Sequence, residues 1–195
     1  HPPIFLAVSS RPAPEPGATR SLRARLAAGP VARRIALADL RLYRYIRSDD
    51  LQVEVAHPVI TAYTKSGEHA ALWYAVGVAG MLLDPRRAAD YRRAMLGIGT
   101  TQLVNTAVKG IFRRRRPALE ELPALVKLPT SLSFPSAHSS TSFAAARALS
   151  ALMPAAPLYA AAALMALSRV YVGVHFPSDI AVGAGLGLTI GSVAR

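Results

Sequence analysis

At 195 residues the chain suits one domain; more than half of it is hydrophobic, and its formal net charge is +12. It has no cysteine, which excludes disulfides, thiolate metal sites and thiol catalysis. High hydropathy with strong positive charge points to a membrane protein with basic flanks. The arginines lie between apolar blocks, not along one solvated face, so a nucleic-acid partner is not expected.

Residues 1–34 are rich in Pro, Ala and Arg and read as a flexible basic tail ahead of a membrane-embedded domain over 35–195. The tail lacks the apolar centre of a secretory signal. Arginine- and alanine-rich usage is associated with GC-rich bacterial genomes, so the expected location is a bacterial cell (inner) membrane. From Ile35 to about Thr64 the pattern is amphipathic: Leu37, Leu40, Tyr43 and Ile46 recur at helical spacing with Arg41, Arg44 and Arg47 between them. Such a helix can lie among anionic headgroups or pack on the rest of the domain, and both can hold. Pro58 should break or kink it.

Five apolar blocks follow, at roughly 68–84, 94–112, 137–153, 157–173 and 177–194. Each approaches the ~20 residues that cross a bilayer core. The expected fold is therefore all-α: a polytopic, multi-pass membrane helix bundle of about five transmembrane helices with an N-terminal amphipathic interfacial helix. Trp73, Tyr74 and Tyr171 suit the membrane interface. Gly183, Gly185, Gly187 and Gly191 permit close helix approach within the bundle. Arg147 falls inside a block, where a guanidinium should join helices or line a polar cavity.

If every block spans, alternate loops fall on opposite faces. The loop over 113–136, the turn over 173–177 and the N-terminal region then share one face; residues 85–93 and the C-terminus share the other. The excess of basic residues near the first face, Lys127 included, favours a cytoplasmic position for it.

Three clusters land on that first face. Lys109 and Arg116 are seven residues apart, about two helical turns, so on a continuous helix both cations would project from one side and converge on an anion. For Arg113, Arg114 and Arg115 the preferred reading is a basic stop that attracts anionic lipid. Pro135 suits the first position of a helix, leaving the amides of Ser136, Ala137 and His138 to face a phosphate, with the Ser136 hydroxyl as a further donor. Asp179 follows His175 by four residues, which stacks the two on one helical face. The carboxylate could then hold the Nδ1 hydrogen and leave Nε2 as a nucleophile. Arg169, at the end of the fourth block, would complete the cradle. No carboxylate cluster suits Mg²⁺, and no metal or cofactor is expected.

Lys109-x6-Arg116-Pro117, Pro135-Ser136-Ala137-His138 and Ser168-Arg169-x5-His175-x3-Asp179 together resemble the tripartite signature of the type 2 phosphatidic acid phosphatase superfamily. The resemblance covers about residues 37–194. One departure is Ala137, where that family usually has Gly. The resemblance implies a metal-independent lipid phosphatase. In it His175 attacks phosphorus to form a phosphohistidine, Asp179 holds its ring, and His138 protonates the leaving oxygen. Lys109, Arg116, Arg169 and the Ser136–Ala137 amides would stabilise the phosphoryl oxygens. The short length, five spans and basic interfacial helix are similar to small actinobacterial members that act on decaprenyl-phosphoryl-phosphoribose, making that 5-phosphate the first expected substrate. Undecaprenyl diphosphate, phosphatidic acid and phosphatidylglycerol phosphate are the alternatives. A binding or translocating module for lipid phosphates is the non-catalytic one.

Overall fold

The structure, a computed structural model, describes residues 29–126 and 130–195. Most of the tail expected over 1–34, and Lys127, therefore lie outside the described residues. Those described are all-α, with no strand and two isolated bridges. Helix α1 runs Pro30–Ile46, starting five residues before the amphipathic pattern because Pro30, preset for the first helical turn, initiates it. Ala36, Asp39 and Tyr43 form its buried stripe, while Ile35, Leu42 and Tyr45 stay exposed beside Arg41 and Arg44. Of the two outcomes expected at Pro58, the amphipathic stretch is broken and not kinked. Pro58 lies in the first turn of a separate helix, α2 (His57–Ser66).

The five apolar blocks become α3 (Ala71–Leu83), α4 (Ala88–Phe112), α5 (Ala137–Leu149), α6 (Ala155–Tyr171) and α7 (Pro177–Val193). Their lengths are unequal, and most fall short of the ~20 residues the blocks approach. The 13 residues of α3 and of α5 reach only ~20 Å, the 17 of α6 and of α7 ~26 Å, and the 25 of α4 ~38 Å. Among the described residues no helix is both long and apolar enough to cross a membrane.

Helix α5 shows why its hydropathy is low. It is the central helix, packed against α4, α6 and α7, and Ser139, Ser140, Thr141, Ser142, Ala144 and Ala145 are all buried. Small residues let its neighbours close in, and its hydroxyls are satisfied by protein: Ser140 Oγ donates to the Ser136 carbonyl and Thr141 Oγ1 to that of Ala137, each at 3.0 Å, while Ser139 Oγ donates to the Ile180 carbonyl of α7 at 2.7 Å. A helix sheathed by protein has no need of a lipid-compatible surface.

The closest approach is between α5 and α7. A Cβ on Gly187 would sit 2.1 Å from the Ser140 carbonyl oxygen, and one on Gly191 2.6 Å from that of Ala144. The glycines therefore pack helices within the chain, as small-residue seams do. Arg147 belongs to the same seam, its Nε donating to Ser192 Oγ at 2.9 Å, so its role here is to join helices. Trp73 departs from its expected interfacial position. It is 2% exposed, lies in the core with Tyr91, Ile98 and Leu149, and donates its indole N–H to Ser142 Oγ at 2.8 Å. That buried hydroxyl supplies the partner that lets an indole leave the interface.

Candidate active site

Lys109, Arg116, Ala137, His138, Arg169 and His175 line one cavity of about 270 Å³. Arg87, Asp90, Leu152 and Arg195 gather at a different one, where Arg87 donates to the Ala151 carbonyl at 2.9 Å. The three sequence clusters are thus brought together, away from the 85–93 turn and the C-terminus, as alternation of the helices requires.

Lys109 and Arg116 converge by a different route from the one their spacing suggested. Helix α4 stops at Phe112, and Arg113 turns left-handed at φ 48°. The chain then runs extended, with Arg115 bridged to Leu132, and this strap carries Arg116 beneath the 173–177 turn. There Arg116 Nε donates to the Thr130 carbonyl at 2.9 Å, while Nη1 reaches the Val174 carbonyl at 2.9 Å and His175 Nε2 at 3.1 Å. Lys109 Nζ lies 3.4 Å from the Leu132 carbonyl. Burial lowers the Arg116 guanidinium to about 10, with Asp179 opposing the shift, so it stays charged at neutral pH.

The contact to His175 fixes that ring's state. A guanidinium only donates, so Nε2 must accept, and the ring proton sits on Nδ1. Nδ1 in turn faces an Asp179 carboxylate oxygen at 3.5 Å, longer than an ordinary hydrogen bond. Burial, then the charges of Arg116, Arg169 and Lys109, hold the imidazole well below its usual range. His175 is therefore neutral, with its lone pair turned toward the cations. Gly173, at φ 84°, makes the turn that sets it there.

Asp179 occupies the first turn of α7, and one of its oxygens accepts the Phe176 N–H at 2.8 Å. Its other oxygen accepts from Arg114 Nη1 at 2.6 Å, and Arg114 Nη2 donates to Asp39 at 2.8 Å. Asp39 also accepts from the Ser178 N–H and hydroxyl, at 2.8 and 2.7 Å. Arg114 is thus buried between two carboxylates and stacked on Phe176, not part of a lipid-facing basic stop. Two carboxylates need a cation between them, and a planar fork serves both at once.

The second cluster also shifts by one position. Ser136 is the N-cap and Ala137 the first helical residue; Pro135 precedes the cap after a cis Phe134–Pro135 bond. The Ser136 N–H donates to the Asp179 carbonyl at 3.0 Å, and its hydroxyl accepts from the Ser139 N–H at 3.4 Å. The Ser136 amide is thus spent on tying the α5 and α7 N-termini together, while its hydroxyl accepts from Ser139 and keeps its own hydrogen to donate. The amides of Ala137 and His138 are open to an anion. The His138 Nε2 is buried with no partner among the described residues.

Sequence reasoning missed four residues. Thr64 accepts from Arg169 Nη1 at 2.6 Å and from Ser168 Oγ at 3.1 Å. Asn105 donates to Ser140 Oγ at 2.9 Å and faces the Pro135 carbonyl at 3.4 Å. Asn105 stands four positions before Lys109 on an apolar helix, and Asp39 is an acid on the buried stripe of a basic one; both were visible as misfits. Arg114 could not be told apart within a run of four arginines, and Thr64 carried no signal.

The model of the PAP2 superfamily matches residues 90–195. Decaprenylphosphoryl-5-phosphoribose phosphatase of Mycobacterium tuberculosis (strain ATCC 25618 / H37Rv) is 35% identical over 127 residues, 65% of this chain and 72% of that protein. The Mycolicibacterium smegmatis protein of that name is 37% identical over 122 residues, 63% of this chain and 68% of that protein. Among solved structures, Aquifex aeolicus LpxE superposes with a TM-score of 0.67 at 28% identity, over 80% of this chain and 93% of that one. A transmembrane PAP2-type phosphatidylglycerolphosphate phosphatase from Bacillus subtilis superposes with a TM-score of 0.64 at 27% identity, over 89% and 88%.

Proposed function

The chain belongs to the PAP2 superfamily and is a phosphatase; on that premise we propose that it hydrolyses a lipid phosphomonoester, decaprenylphosphoryl-5-phosphoribose before others, through a phosphohistidine on His175. The observation that carries this reading is the meeting of His138, His175, Lys109, Arg116 and Arg169 around one cavity of about 270 Å³. The substrate class is supported by the mycobacterial relatives, whose name states that activity.

The phosphate dianion enters between the three cations and draws Arg116 from His175 Nε2, baring the lone pair. A P–N bond forms as the P–O bond to the leaving group breaks, and His138, which takes up a proton as the dianion enters beside it, passes that proton to the departing oxygen. Water then attacks phosphorus, losing its proton to His138, and the P–N bond breaks to release phosphate and neutral His175. The reaction leans on electrostatic stabilisation of the transferring group, supplied here by Lys109, Arg116, Arg169 and the α5 N-terminus. Asp179, steadied by Arg114, orients the His175 ring.

Helices α3 to α7 cross the bilayer in this reading. Leu82, Leu96, Leu103, Ile111, Leu164 and Val193, each more than 60% exposed, give α3, α4, α6 and α7 an apolar exterior, while α5 stays inside. The short helices are accommodated by local thinning of the bilayer. Helix α1 lies in the headgroup layer through Ile35, Leu42 and Tyr45, with Arg41 toward anionic lipid while Arg44 pairs with Glu121 at 3.2 Å, and the site faces the cytoplasm. The test is phosphate release in detergent, with chelator, from a prenyl phosphoribose 5-phosphate, a prenyl diphosphate and a phosphatidic acid. Release from the first above the others, lost in His138→Ala and His175→Ala, is expected. Tight binding without release would instead identify a lipid-phosphate carrier.

A further inference from the structure

The turn between α2 and α3 holds two consecutive non-glycine residues in the left-handed region, His69 at φ 51° and Ala70 at φ 60°. Residues with a Cβ adopt this conformation at a cost, and it persists where surroundings fix it. Here they do. A Cβ on Gly67 would come within 2.8 Å of the His138 ring and 2.7 Å of the Met165 sulfur, so the backbone lies flat against the imidazole. Three residues earlier, Thr64 is held by Arg169 and Ser168. Pinned at both points, the turn places Glu68 and His69 on the wall of the cavity that Lys109, Arg116 and Arg169 also line.

A carboxylate here works against anion binding, and hydrolysis of phosphate gives no reason for it. Glu68 is exposed and has no side-chain hydrogen bond or ion pair among the described residues, so neither packing nor a salt bridge explains it. It shares that wall with the Arg169 guanidinium. Two kinds of leaving group respond oppositely to such a charge. A second phosphoryl group bonded to the scissile one brings further negative charge within a few ångströms of the cradle, well inside a Debye length of Glu68. A hydroxylated leaving group places O–H donors next to the scissile phosphate and any phosphodiester a sugar ring farther off, and a carboxylate accepts such donors in strong hydrogen bonds.

We propose that the Glu68–His69 turn is a leaving-group subsite: Glu68 accepts hydroxyl hydrogens from a polyol ester of phosphate and repels a second phosphoryl group joined to the scissile one. His69, beside it on the cavity wall, adds a ring nitrogen for a further hydroxyl. The subsite selects phosphomonoesters of hydroxylated, sugar-like lipids over prenyl diphosphates. This rests on the phosphomonoesterase reading above.

The experiment compares kcat/KM of the full chain in detergent for a farnesyl phosphoribose 5-phosphate, farnesyl diphosphate and dioctanoyl phosphatidic acid. In Glu68→Gln the diphosphate-to-phosphoribose ratio should rise about tenfold, as expected for removing one like charge near the site. Glu68→Ala should move it in the same direction. A gain in diphosphate turnover cannot arise from misfolding. Ratios equal to wild type in both variants overturn the subsite while leaving the phosphatase intact. Failure of the wild-type chain to release phosphate from any of the three overturns the reading beneath it.

Discussion

Arg114 and Asp179 meet at 2.6 Å, and the same guanidinium reaches Asp39 at 2.8 Å with its other terminal nitrogen. Asp39 belongs to α1 and Asp179 to α7, so α1 is fastened to the carboxylate that faces His175. All three side chains are buried or nearly so.

Arg114→Ala should therefore leave two interior carboxylates without that cation, at a cost of about 3–5 kcal/mol. Thermal unfolding in detergent should show a large loss of stability together with loss of turnover. Arg114→Lys should recover only part of both, because an ammonium cannot present a planar fork to two acids. Wild-type melting of Arg114→Ala would show that the bridge holds nothing.

Arg116→Lys keeps a positive charge but forfeits the geometry that spans the Thr130 and Val174 carbonyls and His175 Nε2. The loss of one oriented donor to the transferring phosphoryl group should lower kcat by about 10²–10³. KM should move far less. Steady-state kinetics decide it; an equal fall in affinity at unchanged kcat would place Arg116 in ground-state binding only.

Gly187→Ala should destabilise the bundle by about 1–3 kcal/mol, because its methyl would collide with the Ser140 carbonyl and the α5 backbone. Gly185→Ala is the contrast: among the described residues a Cβ there would meet no neighbouring element within 4 Å, so no loss is expected and helix propensity favours the change by about 0.5–1 kcal/mol. Melting temperatures of the two variants measured side by side check the α5–α7 seam.

Much of this was legible in the sequence. The blocks appeared as helices because apolar runs between Pro and charged separators leave the chain few alternatives. What misled was local reasoning about residues whose partners are distant. Trp73 reads as interfacial until Ser142 offers it a buried acceptor. The seven-residue spacing from Lys109 to Arg116 suggested one helix, whereas the left-handed Arg113 ends it and a strap does the work. Ser136 looked like an anion donor, but the Asp179 carbonyl had taken its amide. In each case the deciding group lies at least 40 positions away or in a backbone conformation that composition does not reveal.

Stability should fall as pH drops below about 6.5. His175 is held neutral in the folded chain, well below its ordinary value, whereas the unfolded chain protonates near 6.5. The unfolded state thus takes up its proton first, so this contribution is complete above that pH and declines beneath it. Melting curves from pH 7.5 to 5 should fall more steeply for wild type than for His175→Asn; parallel curves would mean that the ring is already charged when folded.

If His175 is the nucleophile, it becomes bonded to phosphorus in every turnover. Rapid acid-free quenching of the enzyme during turnover of a substrate labelled in its terminal phosphate should trap label on the protein. That label should be base-stable and acid-labile, map to the peptide containing His175, and be absent in His175→Ala. Full turnover with no label at any time, or label on a different residue, would contradict the account.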